Sequence, residues 1–232
     1  MRVAALYDVH GVPAALEAVL ADVEGEQVDA IVFGGDLFLG PQPAEIAALV
    51  RTVDASFVRG NCDRDPDDWT ASKLDDETLA WSKGWPLTVE HDGVLYCHAS
   101  PKDDMRPILT DASPPERFDK ALDGVDARLV VAGHTHMQQN RVVRGIRFVN
   151  AGSVGLPYEG EIAAFWALLV DGEPELRKTA LDADRVAEVF RRSGWPRASE
   201  MLQERILRPA TREEATKVLE GRASAIFVTP GD

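Results

Sequence analysis

The chain has 232 residues, 45% of them hydrophobic, and a formal net charge of −14. That length bounds it to one domain with at most an appendage, and that apolar share is too high for wholesale disorder. The acid excess argues against a coat for long DNA or RNA, which needs a basic face to displace counterions, and no run of roughly 18 apolar residues would span a membrane.

Arg2 to Tyr7 is short, apolar and closed by Asp8, the pattern of a buried strand. No longer apolar stretch with a small-residue cleavage site precedes that motif, so a cytoplasmic location is expected. A helix follows: Pro13 suits its first position, and Leu16, Val19, Leu20 and Val23 make one apolar stripe. Val28 to Phe33 reads as a second buried strand ending at Gly34-Gly35-Asp36, followed by a helix over Pro43 to Arg51 with Ile46, Leu49 and Val50 inward. Ala55 to Val58 is a short third strand ending at Gly60-Asn61. Strand, motif, helix repeated is the alternation of an α/β fold, and strand ends are where such sheets bind ligands.

Asp63 to Lys73 is polar and carries Pro66, so a surface loop is expected, then a short helix over Asp76 to Lys83. Leu87 to Glu90 and Val94 to His98 flank His91-Asp92-Gly93, and Asp-Gly is a hairpin signal. Pro101 to Pro115 reads as a long loop, a functional rim by its length. A helix over Pro115 to Leu122 precedes the strand Arg128 to Ala132, which opens onto Gly133-His134-Thr135-His136. Arg141 to Val143 and Ile146 to Val149 form a second hairpin around Arg144-Gly145, followed by Asn150-Ala151-Gly152-Ser153-Val154-Gly155 and a long apolar strand, Ile162 to Val170. Beyond Thr179 the composition turns helical and charged, with Val186, Val189 and Phe190 marking one amphipathic helix and Met201, Leu202 and Ile206 another. The tail, ending Pro230-Gly231-Asp232, is expected to be loose.

Four of the five histidines fall in short motifs: Asp8-Val9-His10-Gly11, Cys97-His98-Ala99 and Gly133-His134-Thr135-His136, beside Gly35-Asp36 and Gly60-Asn61-Cys62-Asp63. Asp8, Asp36 and Asn61 offer oxygen; His10, His98, His134 and His136 offer imidazole. A fold rarely gathers so many desolvation-sensitive groups unless a metal collects them, and these suffice for two ions. Alternate side chains of an extended segment point the same way, so Asp8 and His10 can reach one ion, as can His134 and His136. Asp36, behind two glycines, suits a bridging carboxylate. The spacing of Cys62 and Cys97 matches no CxxC pattern, so both are expected to be reduced thiols.

These five blocks, in this order, resemble the calcineurin-like metallophosphoesterase superfamily over roughly residues 3 to 155. The Asn150 to Gly155 stretch looks like the family's following strand-turn segment, and Gly60-Asn61-Cys62-Asp63 is similar to a branch of small bacterial cytosolic phosphodiesterases. The resemblance implies an α/β fold of two mixed sheets packed face to face and flanked by helices. A catalytic domain at 1–178 and a C-terminal helical extension at 179–232 packed on the same domain are expected, the extension covering the sheet, forming a subunit contact or lidding the site. One metal would take Asp8, His10, Asp36 and His136; the other Asp36, Asn61, His98 and His134. The implied activity is dinuclear phosphoester hydrolysis, most readily of a phosphodiester, with a metal-bridging hydroxide attacking phosphorus in line and Asp36, Asn61 and His98 central to it. Two ions roughly 3.5–4 Å apart polarise a phosphate and acidify the water between them. Mixed Asn, Asp and His ligation suits Mn²⁺ first, then Fe²⁺, Ni²⁺, Co²⁺ or Zn²⁺, over Mg²⁺ or Ca²⁺.

The chain departs from the family pattern at Cys62, where a histidine ordinarily assists the leaving group. A thiol is a weak donor, so an enzyme favouring good leaving groups is expected, with Asp63 left to cap a turn. Val12 also departs, where asparagine often stands, and puts one supporting hydrogen bond in doubt. Cys62 and Arg64 are candidates to touch substrate, with Arg106 and Arg141 as further phosphate-holding candidates. Trp69, Trp81 and Trp85 are expected to pack a core or lid, and His91 to stand apart from the site. The ions would leave the site with a local charge of about +1, so a small phosphorylated substrate is the expected partner, with neither long nucleic acid nor membrane; a homo-oligomer is compatible with the sequence. Two other readings stay open: a phosphomonoesterase or nucleotide pyrophosphatase using the same site, and a non-catalytic metal-binding scaffold. The seven competent ligand positions weigh against the scaffold.

Overall fold

Alternation in the first strand decides the layering. From β1 (Arg2–Leu6) onward, Val3, Ala5 and Tyr7 face one buried cluster while Ala4 and Leu6 face another. The computed structural model describes residues 1–227, so the expected loose tail at Pro230-Gly231-Asp232 lies outside the described residues. After β1 come α1 (Pro13–Gly25), β2 (Ala30–Phe33), α2 (Pro43–Val50), β3 (Ser56–Phe57), α3 (Asn61–Arg64), α4 (Asp68–Lys73), α5 (Asp76–Lys83), β4 (Thr88–His91) and β5 (Val94–Cys97). Then follow α6 (Pro115–Ala121), β6 (Leu129–Ala132), β7 (Gln139–Val143), β8 (Ile146–Asn150), β9 (Ala163–Val170) and β10 (Glu173–Ala180). The chain finishes with α7 (Ala183–Ser193), α8 (Ala198–Leu202), a π-helical turn (Gln203–Leu207) and α9 (Arg212–Phe227).

Two five-stranded sheets form, ordered β10-β9-β1-β2-β3 and β4-β5-β6-β8-β7. Both are mixed: β1 pairs β2 in parallel and β9 antiparallel, and β6 pairs β5 and β8 in parallel while β7 and β8 run antiparallel. Val3, Ala5, Tyr7 and Val32 of the first sheet meet Tyr96, Val131 and Val149 of the second in one apolar layer. Within it the Tyr7 hydroxyl donates to the Val131 carbonyl at 2.9 Å. This is the expected α/β pair of face-to-face sheets. On the outer face of the first sheet, α1, α2, α7 and α8 share a core in which Phe190 is 1% exposed; α6 covers the second sheet through Phe118 and Phe148.

One expectation is corrected, and two elements escape the sequence pattern. Residues 63–73 are not a loop but the end of α3 followed by α4, because Asp67 caps the latter by accepting from Thr70 N at 2.8 Å. Strand β10 was unread because it is an edge strand with polar residues on both faces; the Asp171-Gly172 turn, with φ of 50° and 79°, is the hairpin signal that announces it. Helix α9 was also unread, its apolar positions being sparse.

Candidate metal centre

The five motifs converge at one end of the sheets. Asp8 and His10 follow β1, Asp36 follows β2, Asn61 follows β3, His98 follows β5, and His134 and His136 follow β6. The reason is not strand alternation. Asp8, His10, Asp36, His134 and His136 all have left-handed backbone, with φ between 50° and 69°. Non-glycine residues adopt that region at a cost of order 1–3 kcal/mol each, and such strain clusters where function demands a particular aim.

The loops are fixed by hydrogen bonds from neighbouring segments. Asp63 accepts from the backbone N–H of Asp36 at 2.6 Å, Leu37 at 3.0 Å and Gly60 at 3.2 Å, so it ties the second motif to the third rather than merely capping its own turn. Asp8 Oδ2 accepts from His134 N at 2.8 Å, and Asp36 Oδ1 from Cys62 N at 2.8 Å. The Asn150 to Gly155 segment props two motifs at once: Ser153 Oγ donates to the Asp8 carbonyl at 2.7 Å, and the Asn150 amide to Gly133 O and Thr135 Oγ1.

Two clusters of donor atoms result, Asp8 with His10 and His136, and Asp36 with His98 and His134, the atoms of each within 4.8 Å of one another. The Asn61 side-chain oxygen, Asp8 Oδ1 and His98 Nε2 are buried without a hydrogen-bond partner among the described residues, although Asp8 Oδ1 lies 3.3 Å from His136 Nε2 and His98 Nε2 3.4 Å from Asp36 Oδ2. Nδ1 of His10 lies 3.0 Å from the Leu39 carbonyl, that of His98 2.8 Å from Gly34 O, and that of His136 2.7 Å from Leu156 O. A carbonyl can only accept, so each Nδ1 carries the hydrogen and Nε2 presents a lone pair when the ring is neutral. His10 Nε2 and His136 Nε2 are 3.1 Å apart. Two facing lone pairs repel, and a shared cation relieves them. The donor set, its orphaned atoms and these tautomers fit divalent ions.

Electrostatics point the same way. Burial, then the neighbouring imidazole, push both His10 and His134 down to about 4, leaving them neutral and able to ligate at pH 7. Burial works against charge on His98 too, but the Asp36 carboxylate outweighs it and holds the ring up at about 10, a proton standing where a metal would. Burial and then Asp36 push the Cys62 thiol well above its ordinary range, so it is neutral.

All seven expected ligand positions meet here. Among the substrate candidates, Cys62 lines the adjoining cleft, but Arg64 is turned to Asp104, its Nε 3.0 Å from Oδ2. Arg106 borders a separate cavity of about 290 Å³, and Arg141 lies over the Phe118 ring. Trp81 and Trp85 pack with Phe57 away from the cleft, and Trp69 donates to Gly40 O. The cleft, about 860 Å³, is walled instead by the C-terminal segment, which contributes Arg197, Arg205, Arg208 and Arg222. No local motif marks these residues; the excess of arginine in the helical tail was the only available signal.

The profile of the calcineurin-like phosphoesterase superfamily domain matches residues 1–173. The uncharacterized protein MJ0912 of Methanocaldococcus jannaschii is 24% identical over 240 residues, covering 88% of this chain and 96% of that one. A crystal structure of a metallophosphoesterase from Sphaerobacter thermophilus superposes with a TM-score of 0.72 at 23% identity, over 87% of this chain and 97% of its own. The hypothetical protein PH1004 from Pyrococcus horikoshii gives 0.74 at 16% identity, over 88% and 97%.

Proposed function

Because the chain belongs to the calcineurin-like phosphoesterase superfamily, and is thus a metal-dependent phosphoester hydrolase, we propose that it is a dinuclear phosphodiesterase acting on a small phosphorylated substrate in the cytoplasm. The carrying observation is the pair of converging donor clusters, with His10 Nε2 and His136 Nε2 facing each other at 3.1 Å. Asp8, His10, Asp36 and His136 would hold one ion and Asp36, Asn61, His98 and His134 the other, Asp36 being shared; Mn²⁺ suits the set best. When bound, the ions supply Lewis acidity that polarises the ester and acidifies water for in-line attack.

The chain's own residues do the rest. The Nδ1 contacts to Leu39, Gly34 and Leu156 fix three imidazole planes, and Asp63 fixes the turn carrying Asp36. Cys62, neutral and receiving a contact from Asn61 Nδ2 at 3.1 Å, offers little proton to a departing alkoxide. The enzyme therefore favours esters whose leaving group needs no acid; the choice of diesters over monoesters rests on the family resemblance, since members without the motif histidine lean that way.

The test compares bis(p-nitrophenyl) phosphate with p-nitrophenyl phosphate in metal-stripped protein resupplied with Mn²⁺, Ni²⁺, Zn²⁺ or Mg²⁺, beside Asp36→Ala. Metal-dependent diester turnover that Asp36→Ala abolishes is expected. Preferential monoester turnover transfers the reading to a phosphatase, and metal binding without turnover of either ester transfers it to a scaffold.

A further inference from the structure

We propose that the cleft contains a second anion subsite, centred on Arg205 and extended by Arg222, and that the substrate is a phosphoester carrying another anionic group away from the scissile phosphorus. This deepens the phosphoesterase reading and rests on it for the identity of the first site.

Arg205 is 6% exposed and lines the cleft. Its Nη1 donates to Pro157 O at 2.8 Å, while Nε is buried with no acceptor among the described residues. The guanidinium lies 4.1 Å over the Tyr158 ring, which itself stacks on His136 at 5.2 Å and 18°. A cation is thus held two stacking steps from a metal ligand. Among the described residues it has no carboxylate partner, whereas Arg197 is paired with Glu200, Arg208 with Glu214, and Arg212 with Glu159 and Asp111. An aromatic face offsets only part of the cost of burying a guanidinium, and its planar fork matches phosphate and carboxylate oxygens.

The backbone is shaped for this placement. Arg205 sits in the π-helical turn Gln203–Leu207, an irregularity that forgoes regular helix bonding and recurs at functional sites. Arg222, exposed on α9, lines the same cleft and has no acidic partner among the described residues. Glu204 also lines the cleft, but it is exposed and screened by water. Leu39, Met105, Ile108, Leu156 and Met201 supply apolar wall. A volume of about 860 Å³ is far more than one phosphate fills, and lies in the range of whole-ligand pockets. The donor clusters, two arginines unpaired among the described residues and apolar wall in one cleft describe a ligand with an apolar body and two anionic groups, one at the donor clusters and one within reach of Arg205, two stacking steps from His136.

The probes are butyl phosphate and butanediyl bisphosphate, which differ only in the second anion, titrated calorimetrically into Mn²⁺-loaded protein. The wild type is expected to bind the bisphosphate about ten- to a hundredfold tighter, the return on one or two charge-assisted contacts. Arg205→Met should erase that preference, weakening the bisphosphate far more than butyl phosphate; Arg205→Lys should keep part of it, and Arg208→Met should keep all of it. Arg222→Met, an exposed change, should lower the preference even if Arg205→Met does not fold. Equal binding of the two probes by the wild type overturns the proposal, as does equal weakening of both in Arg205→Met or Arg222→Met. An arginine-dependent preference in protein that hydrolyses no ester keeps the subsite and removes the phosphoesterase reading; diester hydrolysis without the preference does the reverse.

Discussion

A methyl group at Gly60 tests how tightly the shared carboxylate is held. Gly60 has φ −88° and ψ 165°, which alanine adopts freely, so Gly60→Ala carries no backbone penalty and its effect is steric. The added Cβ would stand 2.2 Å from both Asp36 N and Asp36 Oδ1, about 1 Å short of ordinary contact at 3.4–4 Å. Relief requires moving Asp36, which breaks the bond from Asp36 N to Asp63 Oδ2 at 2.6 Å and that from Cys62 N to Asp36 Oδ1 at 2.8 Å. Overpacking costs about 1–3 kcal/mol and each bond to a carboxylate about 1.5–3 kcal/mol, so with partial relaxation the loss is about 3–6 kcal/mol. In a chain of this size that lowers Tm by roughly 10–20 °C. Gly93→Ala is the control: its φ of 74° strains alanine, but nothing lies within 4 Å of the new Cβ, so metal binding should not change. Thermal unfolding in a chelator reads the stability, and calorimetric titration with Mn²⁺ reads the site. Because Asp36 faces both donor clusters, both metal equivalents should weaken together. A Gly60→Ala protein that melts like the wild type and binds two equivalents with wild-type affinity would refute the reasoning.

Asp36→Asn should weaken both metal equivalents, whereas His136→Ala should remove one and spare the other; elemental analysis after dialysis counts them, and loss of both in His136→Ala would deny separate sites. In metal-free protein, His10 and His134 sit near 4, below the ordinary 6.5, so the unfolded chain binds more protons between those values and stability falls as pH drops through that window. His98, near 10, does the opposite: its contribution is full below 6.5 and is lost as pH rises toward 10. A metal takes that proton's place, so the Tm gained on adding Mn²⁺ should grow from pH 6.5 upward, and a gain that shrinks over that range counts against the assignment. Cys62→His should raise kcat/KM for a diester with a poor leaving group, by up to about 10²–10⁴-fold, and leave the p-nitrophenyl diester nearly unchanged; no gain on the poor leaving group would sink the role given to Cys62. Phe190→Ala, at a side chain 1% exposed between α7 and the first sheet, should cost about 3–5 kcal/mol in denaturant unfolding, and a loss under 1 kcal/mol would mean that α7 is not part of the core.

The sequence by itself determined the chemistry and its order. Donor types at Asp8, His10, Asp36, Asn61, His98, His134 and His136 were readable because each closes a short apolar run, and a run of buried residues has few ways to pack except as an interior strand. The hairpins at Asp92-Gly93 and Arg144-Gly145 were readable because their turns need positive φ that local residue choice supplies. Only the tertiary structure decided how the ligands are aimed. The left-handed backbone of five of them is maintained by remote partners such as Asp63 and Ser153, and the imidazole tautomers by the carbonyls of Leu39, Gly34 and Leu156. It also decided which arginines face the cleft. Arg64, next to a ligand motif, is claimed by Asp104, while Arg205, far along the chain, is stacked beside His136 through Tyr158. A side chain's chemistry is local and is written in its residue type. Its partner is set by long-range packing, and a surface arginine's sequence neighbourhood carries almost no record of what the fold will bring to it.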